Sequence, residues 1–130
     1  MKINVNKETS LNFVQHKFRE EFPNLRLGTI VKGKIGNRIL FLDHDEDEIV
    51  RIDKKENFVL HAEPDIKVAD FEKELEAGFG IHIFVFRRSK TIWLETTKTN
   101  DWTLQQQNKT AEFNQYEWDE EGPIDYREHE

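Results

Sequence analysis

Five carboxylates and an imidazole stand side by side at Asp43-His44-Asp45-Glu46-Asp47-Glu48. Oxygen donors at alternate positions are the raw material of a Ca²⁺ or Mg²⁺ loop, but an EF-hand loop needs glycine at its sixth position and glutamate at its twelfth. Here Glu48 stands sixth and Lys54 twelfth, so a solvated loop at a strand end is expected and no metal is predicted. The histidines, His16, His44, His61, His82 and His129, show neither H-x-x-x-H nor H-E-x-x-H spacing. His82 alternates with Ile81 and Ile83, which marks a packing residue on a strand rather than a general base. Ser89 falls in a turn without an evident base to activate it. The chain has no cysteine, which excludes a thiolate metal site, a cysteine nucleophile and a disulfide scaffold. It has no glycine-rich phosphate loop either. A non-enzymatic chain without a cofactor is the expectation.

Basic side chains offer a different chemistry. Lys32, Lys34 and Arg38 surround one expected hairpin turn, and Arg87, Arg88 and Lys90 surround a second. If the turns converge, these residues form a basic edge flanked by Thr96, Thr97 and Trp102, and cations with stacking aromatics are the ingredients of nucleic-acid binding. The net charge of −7 and pI near 5.3 speak against that reading. Most of that charge lies beyond Tyr116, where Glu117, Asp119, Glu120, Glu121, Asp125, Glu128 and Glu130 face Arg127 alone. Trp118 and Tyr126 sit among these acids, a composition suited to an extended segment that meets a partner's aromatic pockets and positive charge. The expected partner is therefore another protein, contacted through Lys32, Lys34, Arg38, Arg87, Arg88, Lys90, Trp118 and Tyr126. A nucleic-acid-binding regulatory domain that uses the basic turns is the alternative. Trp93 and Trp102 are expected to pack rather than to form a ligand platform.

The elements that position these residues follow from periodicity. Leu11, Val14, Phe18 and Phe22 make one apolar helical stripe, and Val68, Phe71, Leu75 and Phe79 repeat its spacing. Ser10 caps the first helix, Pro23 ends it, and Gly80 ends the second. Strands are expected over residues 25–31, 38–43, 48–52, 58–61, 81–87 and 91–97. Thr103 and Gln106 form a capping box for a last helix over 104–112. Residues 10–42 and 67–95 both read helix-strand-strand, a pattern consistent with internal duplication. The predicted fold class is α+β: an antiparallel sheet with two amphipathic helices, a short C-terminal helix and a flexible acidic tail. Residues 1–115 make the single domain and 116–130 the tail.

Val85-Phe86-Arg87-Arg88-Ser89, then Trp93-Leu94-Glu95-Thr96-Thr97, then Thr99 to Asn108 with Trp102-Thr103-Leu104, resemble the core of a family of small uncharacterised bacterial proteins. Val68, Glu72 and Phe79-Gly80 are similar to that family's helix. The resemblance covers residues 58–108 and implies a shared fold core and no catalytic activity. The start of the chain lacks the apolar run of a signal peptide, and no stretch approaches a membrane span. A cytoplasmic monomer or homodimer away from membranes is expected.

Overall fold

Ile3 and Val5 are buried and alternate with exposed Lys2, Asn4 and Asn6, and this short alternation forms a strand outside the expected set. The computed structural model describes residues 1–33, 36–43 and 57–111. Lys34, the acids beyond Asp43, the strand expected at 48–52, and the tail with Trp118 and Tyr126 lie outside the described residues.

The element order is β1 (Lys2–Asn6), α1 (Leu11–Glu21), β2 (Leu25–Gly33), β3 (Gly36–Phe41), β4 (Asn57–His61), α2 (Val68–Phe79), β5 (Phe84–Ser89) and β6 (Ile92–Glu95). A 3-10 turn at Thr97–Thr99 leads to a third helix, α3, over residues 104–111. Among the described residues all strand pairs are antiparallel. They divide into a two-stranded sheet, β1-β4, and a four-stranded sheet in the order β3-β2-β5-β6. The fold is α+β.

Local chemistry sets the helix ends. Ser10 Oγ accepts the Phe13 N–H at 3.0 Å, satisfying one of the unpaired donors of the first turn. Gly80 takes the left-handed conformation (φ 74°) and returns its N–H to the Glu76 carbonyl. At α3, Thr103 N–H donates to Gln106 Oε1 at 2.8 Å, and Gln106 N–H donates to Thr103 Oγ1 at 3.1 Å.

The strand expected over 81–87 runs instead over Phe84–Ser89. The β2-β5 register ends at Gly28↔Phe84, and beyond it the Thr29 hydroxyl donates to the His82 carbonyl at 2.9 Å in place of a ladder bond. Likewise β6 stops at Glu95, because Thr96 turns inward and its hydroxyl donates to the Val85 carbonyl at 2.8 Å.

The repeat is larger than helix-strand-strand: each half is β-α-β-β, and the halves are related by an approximate two-fold axis. The shift along the chain that carries Leu11 onto Val68 also carries Ile3 onto Leu60, and Ile3 and Leu60 are direct partners in the β1-β4 pair. After one extra residue between α2 and β5, Leu27 corresponds to Val85, and these two are partners in the β2-β5 pair. Both sheets thus cross the axis through equivalent, buried residues. The core gathers beside it: Val14, Phe18, Phe71, Leu75, Leu27 and Val85 are essentially inaccessible, and the Phe18 and Phe71 rings stack at 5.3 Å. Burying each such side chain is worth roughly 1.5–3 kcal/mol.

α2 approaches β4 so closely that Gly78 lies directly beneath the Phe58 ring, which leaves no room for a Cβ. Phe58 in turn meets Phe79 edge-on at 5.1 Å. Gly78→Ala gains about 1 kcal/mol of helix propensity. It must also push Phe58 off Phe79, and overpacking of this kind costs about 1–3 kcal/mol. The expected result is a lower urea midpoint despite the better helix former.

Candidate functional site

Alternation along the strands divides the four-stranded sheet. Leu25, Leu27, Leu40 and Val85 face the helices. Arg26, Gly28, Ile39, Phe41, Phe86, Arg88 and Trp93 lie on the opposite face, as their register pairs require. On that face Phe41 from one edge strand and Trp93 from the other lean inward until their ring centroids are 6.1 Å apart. Phe86 lies between, edge-on to Phe41 at 5.3 Å and fully buried. Gly28 makes this possible, since a Cβ there would press on Phe41, Phe86 and Ile39.

Arginines complete the cluster. The Arg26 guanidinium stacks on Phe41 at 3.9 Å and lies 5.6 Å from the Trp93 ring. It also binds both oxygens of Asp43 at 2.8 Å. Burial would raise the Asp43 pKa, but the Arg26 hydrogen bonds and charge outweigh it and hold the carboxyl below its ordinary value. The Arg19 guanidinium, from α1, lies 5.2 Å from the centre of the Trp93 ring, and its Nε is buried without a hydrogen-bond partner among the described residues. Burial, and then the Arg26 charge, lowers its pKa. Arg88 is exposed at the same end, paired in register with the partly exposed Trp93. The surface offers three guanidinium groups and aromatic edges against the carboxylates of Asp43 and Glu95, the latter paired in register with Phe86.

The expected basic edge does not form. The β2-β5 register puts Leu25 opposite Arg87, while Lys32 lies at the far end of β2, paired with Asn37. The two turns therefore sit at opposite ends of the sheet, roughly 25 Å apart at about 3.3 Å per residue. Lys32 and Arg38 are exposed at one end, and Arg88 and Lys90 lie at the other. Arg87 faces inward: it is 7% exposed, donates to Gln107 Oε1 at 2.9 Å and lies 5.8 Å from the Trp102 ring. Burial lowers its pKa. It braces α3 against the sheet and is not available to a partner. Trp102 packs, as expected.

The pseudo-two-fold exposes a second pair of residues. Gln15 on α1 and Glu72 on α2 are equivalent in the two halves, and each is buried. Each also reaches the backbone of an axis residue, Leu27 for Gln15 and Val85 for Glu72, and the Leu27 carbonyl accepts the Leu42 N–H at 3.0 Å as well. Gln15 accepts the Leu27 N–H at 2.9 Å and donates to the Leu27 carbonyl at 2.8 Å. Glu72 accepts the Val85 N–H at 2.9 Å, while Thr96 serves the Val85 carbonyl. One half uses an amide where the other uses a carboxyl. Burial raises the Glu72 pKa to about 7, with the Glu95 charge adding to it and the Val85 N–H holding it back. Position 72 stands on the apolar side of the helix between Val68 and Leu75, which is the signal that could have drawn notice to it.

No protein-family model, curated protein or solved structure matches the chain. Among the described residues no helix is long and apolar enough to cross a membrane.

Proposed function

We propose that the chain is a non-enzymatic binding protein whose partner is another protein, engaged on the open face of the four-stranded sheet through a segment that carries acidic and aromatic side chains. The observation that supports this reading is the cluster of Arg26, Phe41, Arg88 and Trp93 on one face of the four-stranded sheet, which Arg19 reaches from α1. Guanidinium groups pre-stacked on rings lose little freedom when they meet carboxylates, and Arg and Trp are the residue types in which interface energy concentrates. Arg26 with Asp43 already shows the pairing such a partner would extend. Trp118 and Tyr126, in their acidic setting, are proposed as a second contact with the partner. The separation of the two basic turns weighs against a nucleic-acid groove, which needs a continuous basic track.

Peptide display on the immobilised protein tests this. Acidic, tryptophan-bearing sequences should be enriched, and Arg88→Glu should weaken them at least tenfold without loss of fold. Enriched sequences indifferent to Arg88→Glu contradict the reading. Tight capture of a dT20 oligonucleotide in preference to any peptide transfers the face to nucleic acid.

A further inference from the structure

α3 delivers the rest of the chain to the rim of the arginine cluster. The N–H of Asn24, which leads into β2, donates to Asn108 Oδ1 at 2.9 Å, and Asn24 Nδ2 reaches the Asn108 carbonyl at 3.4 Å. The Asn24 carbonyl in turn accepts the Arg88 N–H at 2.9 Å. Arg87 holds the same helix through Gln107. α3 ends at residue 111, within one turn (about 5 Å) of Asn108. The chain therefore leaves its last described helix beside Arg88.

Charge at that rim is unbalanced. Among the described residues Arg26 is the one guanidinium of the three with a carboxylate partner, Asp43. Arg19 donates to the Pro23 carbonyl at 3.2 Å and Arg88 to the Lys90 carbonyl at 3.3 Å, so both rest on neutral acceptors. After burial, the Arg26 charge lowers the Arg19 pKa and the Arg88 charge adds to this, with Asp43 opposing. The acids next along the chain, Glu117, Asp119, Glu120 and Glu121, bracket Trp118. From residue 111 to Trp118 an extended chain spans up to roughly 25 Å at about 3.6 Å per residue. The three gaps between β3 and β6 add up to roughly 14 Å at about 4.8 Å each. The full width of the face is within reach.

We infer that residues 117–121 of the chain itself are the resident occupant of this face, with Trp118 against the Phe41 and Trp93 rings and the flanking carboxylates on Arg19 and Arg88, and that a partner binds by displacing them. The inference rests on the sheet-face reading and deepens it. The partner presents the same acidic, aromatic chemistry in a stronger form, and Trp118 and Tyr126 are freed for their second contact only once displaced. Tethering makes a weak contact sufficient. A segment whose own dissociation constant is about 0.1 mM, held at an effective concentration of about 1 mM, occupies its face roughly nine-tenths of the time and weakens a competitor about tenfold.

The chain has no cysteine, so Gly122→Cys gives the full chain a single attachment point for a nitroxide. Broadening of the Arg26, Phe41, Arg88 and Trp93 amides is expected, and much less at Lys32 and Asn37. It should vanish when Trp118→Ala, Asp119→Lys and Glu120→Lys are added. A synthetic peptide of residues 116–130 should bind this triple variant, without the label, saturably and the parent at least tenfold more weakly. A face left sharp, broadening undiminished by the three substitutions, no saturable binding of the peptide, or equal binding by both chains overturns the inference. Broadening of isotope-labelled parent by added spin-labelled chains overturns it too, and assigns the occupant to a second copy. None of these results removes the sheet-face reading, which fails on its own ground if display-selected peptides are indifferent to Arg88→Glu.

Discussion

Glu72→Gln should melt about 10 °C above the parent chain at pH 8 and within a few degrees of it at pH 4.5. The folded-state pKa of Glu72 is raised to about 7 from an ordinary value of 4.5. Between those values the folded chain holds a proton that the unfolded chain releases, so stability falls as pH rises through this window and levels off above it. The full loss is up to about 3 kcal/mol at about 1.4 kcal/mol per unit. It is absent below the unfolded value, where both states are protonated. Glutamine keeps an oxygen for the Val85 N–H and carries no such loss. Thermal melts of the two proteins from pH 4.5 to pH 8 check this. Parallel curves would mean that Glu72 is not protonated in the folded chain near neutral pH.

The reciprocal change should be the more damaging one. Gln15→Glu puts a carboxylate where Gln15 Nε2 now donates to the Leu27 carbonyl at 2.8 Å and faces Asp43 Oδ1 at 3.4 Å. An ionised oxygen there confronts a carbonyl and a like charge in a buried setting, which costs about 3–5 kcal/mol at pH 8. Protonation restores a donor toward Leu27, so the cost should shrink steeply with acid. Urea midpoints at pH 8 and pH 5 report both effects. The double swap, Gln15→Glu with Glu72→Gln, should move the pH-dependent loss of stability from the second half to the first.

What the sequence discloses about this fold is what short-range chemistry decides. Ser10, Gly80 and the Thr103-Gln106 box each act within one helical turn, and each stands where its residue type predicts. The two apolar stripes likewise announce two helices and, by their common spacing, a repeat. β1 escapes because Ile3 and Val5 alone are too few to separate a strand from an apolar start, and β4 across the sheet is what holds it. The basic turns look convergent from the chain because both follow a helix and a strand. Only the antiparallel register of β2 on β5, a long-range fact, sends them to opposite ends.

The site was less legible for the same reason. Phe41 and Trp93 come from strands at opposite edges of the sheet, and Arg19 reaches them from a helix, so no spacing brings them together. Arg87 and Arg88 are indistinguishable as neighbours in a basic turn until strand alternation buries one and exposes the other. Glu72 owes its raised pKa to burial, and the backbone N–H that holds it there is left free where β6 stops and Thr96 turns inward.

Chemical-shift mapping with a display-selected acidic, tryptophan-bearing peptide tests the central claim most directly. Within the described residues the account predicts shifts confined to Arg19, Arg26, Gly28, Ile39, Phe41, Phe86, Arg88 and Trp93, fading as ionic strength is raised toward about 1 M, where the Debye length is about 3 Å. Shifts centred on the Lys32–Asn37 turn or on the helical layer would contradict it.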